Sequence, residues 1–137
     1  MSSYPHWQTI PLRWKDNDVY GHVNNVVHYS LMDTVINTWL IERGGLDVSS
    51  GAVIGLCVES QCSYHASVSF PGSLRVGLRV AHLGTSSVRY EIGMYTAEET
   101  LVAQGHFVHV FVDRESRRPV PVSGKLRECL EALQGAS

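Results

Sequence analysis

The longest regular pattern in the chain is a run of apolar side chains with helical spacing over residues 26–44. The apolar positions recur every three or four residues, the period of a helix that buries one face. They are Val26, Val27, Met32, Val35, Ile36, Trp39 and Leu40. Asn24 or Asn25 can cap the start of this helix, and Gly44 can end it in the left-handed conformation. The pattern predicts one helix of about 19 residues, roughly 28 Å long.

Most of the remaining chain alternates between apolar and polar residues, which is typical of strands. Residues 6–16 form the first such segment, and Pro11 within it favours an edge position or a bulge. Four more strands are predicted, and their short polar connections favour an antiparallel meander. These strands cover residues 53–65, 73–83, 87–96 and 101–112. A short terminal helix is predicted over residues 125–133.

The order of one strand, one long helix and four strands predicts a single α+β domain over residues 1–137. In such a domain the long central helix packs across a five-stranded antiparallel sheet. One helix about 10 Å wide cannot cover five strands that lie about 4.8 Å apart. Apolar sheet surface and open strand edges would remain, so we expect a homo-oligomer, at least a dimer.

The composition is that of an ordinary globular protein, with 44% hydrophobic and 18% charged residues. A net charge of −2 gives no general attraction to nucleic acid. Arg114, Arg117 and Arg118 form one local basic patch, which either is solvated or contacts the anionic tail of a ligand. No stretch is apolar enough to span a membrane and no signal peptide is visible, so we expect a cytoplasmic protein.

Neither the cysteines nor the histidines have the spacing of a metal site. Three cysteines without a C-x-x-C pair suit a reducing cytoplasm. Cys57 and Cys62 are five residues apart in one predicted strand and should point to opposite faces. His106 and His109 should likewise lie on opposite sides of a strand. We therefore expect no metal.

The chemically richest segment is the loop that leads into the long helix, residues 16–25. It contains Asp16, Asp18 and His22, and it ends in Asn24 and Asn25 beside the unpaired N–H groups of a helix start. The positive end of the helix dipole keeps a neighbouring carboxylate ionised, so Asp18 is a competent nucleophile at neutral pH. The alternative is that Asp18 caps the helix or a turn. We interpret Asp16 as structural, whereas His22 either donates to a substrate carbonyl or packs at the helix entry.

This loop and four later segments resemble the hotdog-fold thioesterases, in particular 4-hydroxybenzoyl-CoA thioesterases and related acyl-CoA thioesterases. The loop reads Asp-Asn-Asp-Val-Tyr-Gly-His-Val-Asn-Asn, and its Asp-x-x-Gly-His-Val-Asn-Asn core is the most specific part. The other segments are Val-Glu-Ser-Gln-Cys-Ser-Tyr (58–64), Leu-Gly-Thr-Ser-Ser-Val-Arg-Tyr (83–90), Gly-His-Phe-Val-His-Val-Phe-Val-Asp (105–113) and Arg-Pro-Val-Pro-Val (118–122). His28 is a departure, because related sequences often have Tyr there, and it affects the expected shape of the acyl pocket.

The resemblance implies hydrolysis of an acyl-CoA thioester to a free acid and CoA. In that family a loop carboxylate attacks the thioester carbonyl or activates water, while a backbone N–H at the start of the central helix holds the carbonyl oxygen. Asp18, three residues before Gly21, matches the carboxylate, and Asn25 matches the position of the N–H donor. Family sites form between subunits, so a homodimer or homotetramer is expected. No cofactor is expected beyond the CoA of the substrate.

Four further residues are weaker candidates. Glu59 lies in the middle of a predicted strand, where it either faces the cleft as a second acid or base, or is exposed or ion-paired. Ser86, Ser87 and Arg89 either contact the pantetheine or nucleotide of CoA or are ordinary turn and surface residues.

Three other functions remain open. One is a hotdog protein that binds acyl-CoA without turnover, and another is a thioesterase acting on an acyl-carrier protein. The third is a hotdog dehydratase, which resembles a pattern with a catalytic His in a His-Phe-Pro context. Here Val108 follows His106 and Phe107, so the dehydratase is disfavoured.

Overall fold

A long helix lies across one antiparallel sheet in residues 4–134, the part of the chain that the computed structural model describes. The elements are β1 (His6–Pro11), α1 (Val27–Gly44), β2 (Val53–Tyr64), β3 (Ser73–Leu83), β4 (Ser87–Tyr95), β5 (Leu101–Asp113) and α2 (Gly124–Glu131). A single turn of 3-10 helix, Trp14–Asp16, follows β1. The predicted α+β fold, with a long helix and five antiparallel strands, is confirmed.

The strand order is β1-β3-β4-β5-β2, so the prediction that β2 begins a four-stranded meander is wrong. Only β3, β4 and β5 follow one another as neighbours, whereas β2 pairs with β5 at the far edge. The connection 65–72 carries the chain back from that edge to β3. It is held to the loop before α1 by hydrogen bonds from the Val23 N–H to the Val68 carbonyl and from the Leu12 N–H to the Gly72 carbonyl, both 2.8 Å.

The first strand is an edge strand, as its proline predicted, but it ends at Pro11 and does not continue to residue 16. The reason is the carboxylate of Asp16, which accepts hydrogen bonds from the backbone N–H of Arg13 at 2.7 Å and from its guanidinium at 2.8 Å. These bonds fold residues 14–16 into a turn. The chain therefore leaves the sheet before it reaches the loop.

α1 buries the face that the apolar spacing predicted, with two differences at its ends. Val26 is 66% exposed, whereas His28, the second residue of the helix, is buried. The left-handed residue that ends the helix is Gly45, with a φ of 68°, not Gly44. Gly44 is still helical and lies against α2, where an added Cβ would be 2.9 Å from the Cys129 sulfur. The two glycines thus serve close packing and chain reversal separately.

The core lies between α1 and the inner face of the sheet, meaning the face that α1 covers. Alternate residues of β3 and β4 fill it: Leu74, Val76, Leu78, Val88, Tyr90, Ile92 and Met94. A hydrogen bond of 2.9 Å from the indole N–H of Trp39 to the carbonyl of Cys129 links α1 to α2. Among the described residues, no helix is both long and apolar enough to cross a membrane.

A buried polar pair interrupts this core. His109 is 3% exposed, and its Nδ1 shares a hydrogen bond of 3.1 Å with the Tyr90 hydroxyl. Burial lowers the pKa of His109 to about 4, because the charged imidazolium would lose its hydration there. His106 points to the opposite, outer face, as the strand alternation predicted.

β2 contains a bulge at Val58 that changes which side chains share a face. Cys57 pairs with His109, and Glu59 pairs with the next residue of β5, Val108. Val58 is therefore an extra residue of β2 that has no partner in β5. Cys57 and Cys62 consequently lie on the same, inner face, contrary to the simple alternation. The same shift turns Glu59 to the outer face.

Candidate active site

The segment between Asn17 and Val23 is a tight loop closed by backbone hydrogen bonds. Asn17 and Val23 form a short antiparallel bridge. Inside it, the Asp18 N–H donates to the His22 carbonyl at 2.9 Å, and the Gly21 N–H donates to the Asp18 carbonyl at 3.0 Å. Gly21 has a φ of 82°, a conformation that favours glycine. The loop therefore fixes the backbone of Asp18 in place.

The carboxylate of Asp18 is engaged on one side only. Its Oδ1 accepts a hydrogen bond from the Tyr20 N–H at 2.9 Å. Its Oδ2 makes no hydrogen bond or ion pair with any residue in the described range 4–134. Asp18 lines an open cavity of about 750 Å³ together with Trp14, Val19, Tyr20 and other loop residues. One carboxylate oxygen is thus oriented by the loop while the other is available.

Asp16 has the opposite environment, in agreement with its predicted structural role. It is 2% exposed and forms an ion pair of 2.8 Å with Arg13. Burial alone would raise the pKa of Asp16, but hydrogen bonds from the side chain and backbone of Arg13 lower it below the ordinary value. Its carbonyl accepts the Asn24 N–H at 2.9 Å. Asp16 holds the two ends of the loop and offers no free oxygen to a ligand.

The start of α1 leaves one backbone donor free beside this loop. The N-cap position of α1 is Val26, not Asn24 or Asn25 as predicted. Asn24 instead forms a turn just ahead of the helix, in which its Oδ1 accepts the Val26 N–H at 3.0 Å and its carbonyl accepts the Val27 N–H at 2.9 Å. The Asn25 carbonyl accepts the hydroxyl of Tyr64 at 2.6 Å. The N–H of Asn25 donates to no group in residues 4–134. The two peptide units that flank Asn25 contain four polar groups, and among the described residues the Asn25 N–H is the one without a hydrogen-bond partner.

A second cavity, of about 450 Å³, lies next to this donor. Its lining includes Asn25, His28, Tyr64 and the following segment 65–68. The rings of His28 and Tyr64 meet edge to face, with centroids 4.9 Å apart. Burial lowers the pKa of His28, although the backbone of Asn25 and Asn24 opposes the shift. Asp18 and Asn25 thus line two different cavities, and Asn24, the neighbour of Asn25 in the chain, lines the cavity of Asp18.

The side chains of His22 and Glu59 do not join Asp18 and Asn25 in a common site. His22 belongs to the loop but is exposed, and its ring makes no hydrogen bond with another described residue. Glu59 is on the outer face of the sheet, away from α1, and its carboxylate is 2.6 Å from His106 Nε2. Of the two alternatives for Glu59, the structure therefore has the exposed position beside a charge partner and not the cleft-facing one, and the bulge at Val58 is the reason.

Ser86, Ser87 and Arg89 lie at the opposite end of the sheet from the loop. β4 runs from Ser87 to Tyr95, about 26 Å at roughly 3.3 Å per residue, and the loop adjoins the Tyr95 end. Arg89 lines a polar cavity of about 320 Å³ on the outer face. Within one chain these residues are not part of the Asp18 site. A shared ligand would have to be extended or bound by two chains.

The basic patch predicted near the end of the sheet is partly structural. Arg114 donates to the carbonyls of Gly51 at 2.6 Å and Val48 at 2.7 Å, and so fastens the chain ahead of β2. Arg117 and Arg118 are exposed. Among the described residues, no cluster of His, Cys, Asp or Glu has the geometry of a metal site.

The contact of Tyr64 with the start of α1 was not predicted from the sequence. Tyr64 is the last residue of β2 and contacts Asn25 across 39 positions of the chain. A tyrosine at the end of a strand has no spacing signal that points to a helix start elsewhere. The crossover of β2 to the sheet edge beside α1 creates the contact, and that crossover was not predicted either.

Comparisons with known proteins agree with this architecture. A family model, the thioesterase-like superfamily, matches residues 12–130. The crystal structure of the PA5185 protein from Pseudomonas aeruginosa strain PAO1 is 54% identical in sequence with a TM-score of 0.94, over 98% of this chain and 94% of that one. PA2801 of Pseudomonas aeruginosa, a suggested thioesterase, is 31% identical with a TM-score of 0.85, over 92% and 98%.

A more distant structure shares the fold alone. Slr0204, a 1,4-dihydroxy-2-naphthoyl-CoA thioesterase from Synechocystis, is 17% identical with a TM-score of 0.82, over 90% of this chain and 93% of that chain. Comparison with curated proteins finds no sequence match. The family model covers most of the chain, and the helix lies across five antiparallel strands as in the hotdog thioesterases. This chain therefore belongs to the thioesterase-like superfamily and has the hotdog fold.

Proposed function

We propose that this protein hydrolyses an acyl-CoA thioester to the free acid and CoA. The observation that carries the proposal is that a carboxylate with one unbonded oxygen and an unbonded backbone N–H occur in the same loop. The Oδ2 of Asp18 and the N–H of Asn25 are both without partners in residues 4–134, and they are seven residues apart in one fixed loop. Acyl transfer needs these two groups, a nucleophile or base and a donor for the developing oxyanion.

In the first step Asp18 Oδ2 attacks the carbonyl carbon of the thioester. The carbonyl oxygen becomes an oxyanion that accepts a hydrogen bond from the Asn25 N–H, where the helix dipole favours negative charge. The C–S bond then breaks, and the thiolate of CoA leaves and takes a proton from water. Water opens the mixed anhydride, which releases the acid and restores the Asp18 carboxylate.

The alternative route uses the same two groups without a covalent intermediate. Asp18 takes a proton from a water molecule, the resulting hydroxide attacks the carbonyl, and the leaving thiolate receives the proton. Single turnover in ¹⁸O-water tests the covalent route. Label in the Asp18 carboxylate indicates an anhydride opened at the Asp18 carbonyl, whereas label in the product acid alone results from attack of water at the acyl carbon of either the thioester or the anhydride.

Two relatives of the fold support CoA as the carrier. Slr0204 is named for an aromatic acyl-CoA substrate, and SAV2348 of Staphylococcus aureus was solved in complex with CoA. SAV2348 is 14% identical, with a TM-score of 0.81 over 96% of this chain and 86% of that chain. Both identities are low, so they support the choice of carrier without indicating the acyl group.

The proposal includes a dimer with its sites at the subunit interface. β2 is a twelve-residue strand at the edge of the sheet, and the middle of its length is exposed. Four large apolar side chains are also exposed in and beside the Asp18 loop: Trp14, Val19, Tyr20 and Val26. A second copy placed along β2 would cover such surface and close the open cavities. A stable monomer at micromolar concentration in sedimentation would contradict this model.

Thiol release from a panel of acyl-CoA esters tests the reaction. We expect turnover by the wild type and a loss of at least about 10²-fold in kcat for Asp18→Asn, because the amide is neither nucleophile nor base. Asp33→Asn, an exposed change on α1, is the matched control and should retain activity. If Asp18→Asn retains near wild-type turnover, the assignment of Asp18 is wrong even where the protein is an enzyme.

The remaining functions are distinct outcomes of the same panel. A wild type that binds CoA esters but releases no thiol at any chain length is an acyl-CoA-binding protein. Activity on an acyl-carrier protein without activity on the matching CoA ester assigns the other carrier.

A further inference from the structure

We propose that Tyr64 is a positioning residue that holds the Asn25 N–H in the direction needed to meet the thioester carbonyl. The inference rests on the proposed function, and it adds a residue from the far edge of the sheet. Tyr64 does not touch the reacting atoms in this proposal. It acts through the backbone of Asn25, to which its hydroxyl donates at 2.6 Å.

The peptide unit between Asn25 and Val26 is held at both of its ends. Its carbonyl accepts the Tyr64 hydroxyl, and its N–H donates to the Asn24 side chain at 3.0 Å. A peptide unit is planar, so hydrogen bonds at both ends fix the orientation of the whole plane. One of those bonds is local to the loop, and the other comes from β2.

The preceding peptide unit is held from one side only. The Asn24 carbonyl accepts the Val27 N–H at 2.9 Å, and the other polar group of that unit is the free N–H of Asn25. The direction of this N–H depends on the backbone angles of Asn25, which join the two planes. If the Asn25–Val26 plane is released, the first turn of α1 can fray and the donor can rotate.

Tyr64 is suited to this role by its position and its chemistry. It ends β2, so the sheet anchors its backbone, and its ring packs edge to face on His28 of the first turn of α1. Burial raises the pKa of Tyr64 to about 12, which keeps the hydroxyl protonated as a donor throughout the neutral range. The bond therefore links the edge strand directly to the start of the helix.

The test is Tyr64→Phe in the full-length protein, which removes the hydroxyl and keeps the ring against His28. Because a small misplacement of a catalytic group can cost about 10²-fold in rate, we expect kcat to fall by roughly 10- to 100-fold. KM should change by less than about 3-fold, since the ring and the cavity remain. The control is Tyr95→Phe, which removes a tyrosine hydroxyl on the outer face of the sheet and should leave kcat unchanged.

A second readout reports the geometry itself. In ¹H–¹⁵N spectra, the amide resonances of Asn25 and Val26 should move in Tyr64→Phe, while those of β3 and β4 stay in place. A residue that only supported the fold would lower thermal stability without changing kcat at a temperature where the protein is folded.

The outcomes separate this inference from the proposed function. An active wild type with an inactive Asp18→Asn, combined with Tyr64→Phe within 2-fold of wild-type kcat, overturns the role of Tyr64 alone. Equal changes in kcat and KM without movement of the Asn25 resonance also overturn it. A wild type that releases no thiol refutes the proposed function and this role with it.

Discussion

The buried His109 makes the stability of the protein depend on pH in a predictable window. In the unfolded chain the imidazole titrates near its ordinary pKa of 6.5, whereas burial lowers the folded pKa to about 4. Between these values the unfolded state binds a proton that the folded state cannot accept. Stability is therefore fully present above about pH 6.5 and is lost as the pH falls toward 4.

The size of the effect follows from the shift. A difference of about 2.5 pKa units corresponds to roughly 3 kcal/mol when the loss is complete. Between pH 7 and pH 5 the same linkage gives a loss of about 2 kcal/mol in the free energy of unfolding. At pH 5 the acidic groups with lowered pKa values contribute little, because Asp16, Asp47 and Asp113 have pKa values of 3.8 in the unfolded chain and lower values in the folded protein.

The measurement is urea unfolding at pH 7 and pH 5, at one protein concentration, for wild type and His109→Asn. Asparagine keeps a polar atom near the position of Nδ1, so it can still bond to the Tyr90 hydroxyl while carrying no titratable group. Burial also lowers the pKa of His28 and of His6, but both residues remain in both proteins, so their contributions cancel. The variant is expected to be less stable than wild type at pH 7 and to lose about 2 kcal/mol less on acidification.

The comparison has a clear negative result. If wild type and His109→Asn lose the same free energy between pH 7 and pH 5, burial of His109 does not set the acid response. The control His82→Asn removes an exposed imidazole of β3 and should follow the wild-type pH dependence.

Three further substitutions test the local structure around the site. Asp16→Asn should lower stability by about 2 kcal/mol, because it leaves the Arg13 donors without a carboxylate. Asp18→Asn should leave the urea midpoint almost unchanged, because its Oδ1 keeps the Tyr20 bond and its Oδ2 has no described partner; a large loss would show a structural Asp18. Gly45→Ala should cost about 1 kcal/mol through its φ of 68°, and an unchanged thermal midpoint would show that the helix end adapts.

Local patterns were sufficient to predict the helix and the strands. The buried side chains of α1 recur at three- and four-residue spacing, and those of β3 and β4 alternate, because each element meets the core with a single face. The position of Asp18 beside a helix start singled it out, whereas Asn25 was matched to the donor through the resemblance to the hotdog-fold thioesterases. Their catalytic roles remain predictions.

The errors arose where one residue or one long-range contact overrides a local rule. A single extra residue at Val58 reverses the faces of β2 beyond it, which moved Glu59 away from the cleft and brought Cys62 to the side of Cys57. The residues around Val58 contain no sequence signal from which a β-bulge could be predicted. The pairing of β2 with β5, and with it the contact of Tyr64 with Asn25, depends on where distant strands lie in space.

The two edges of the sheet differ in a way that limits how copies of the protein can assemble. β1 is six residues long and ends in Pro11, which has no N–H to offer an added strand. β2 is twice as long, and the middle of its length is exposed. In the proposed dimer the β2 edges of two chains would cover each other, and the edges left at the outside would be the two short β1 strands. Such a pair would be closed, with no long open edge from which a fibre could grow.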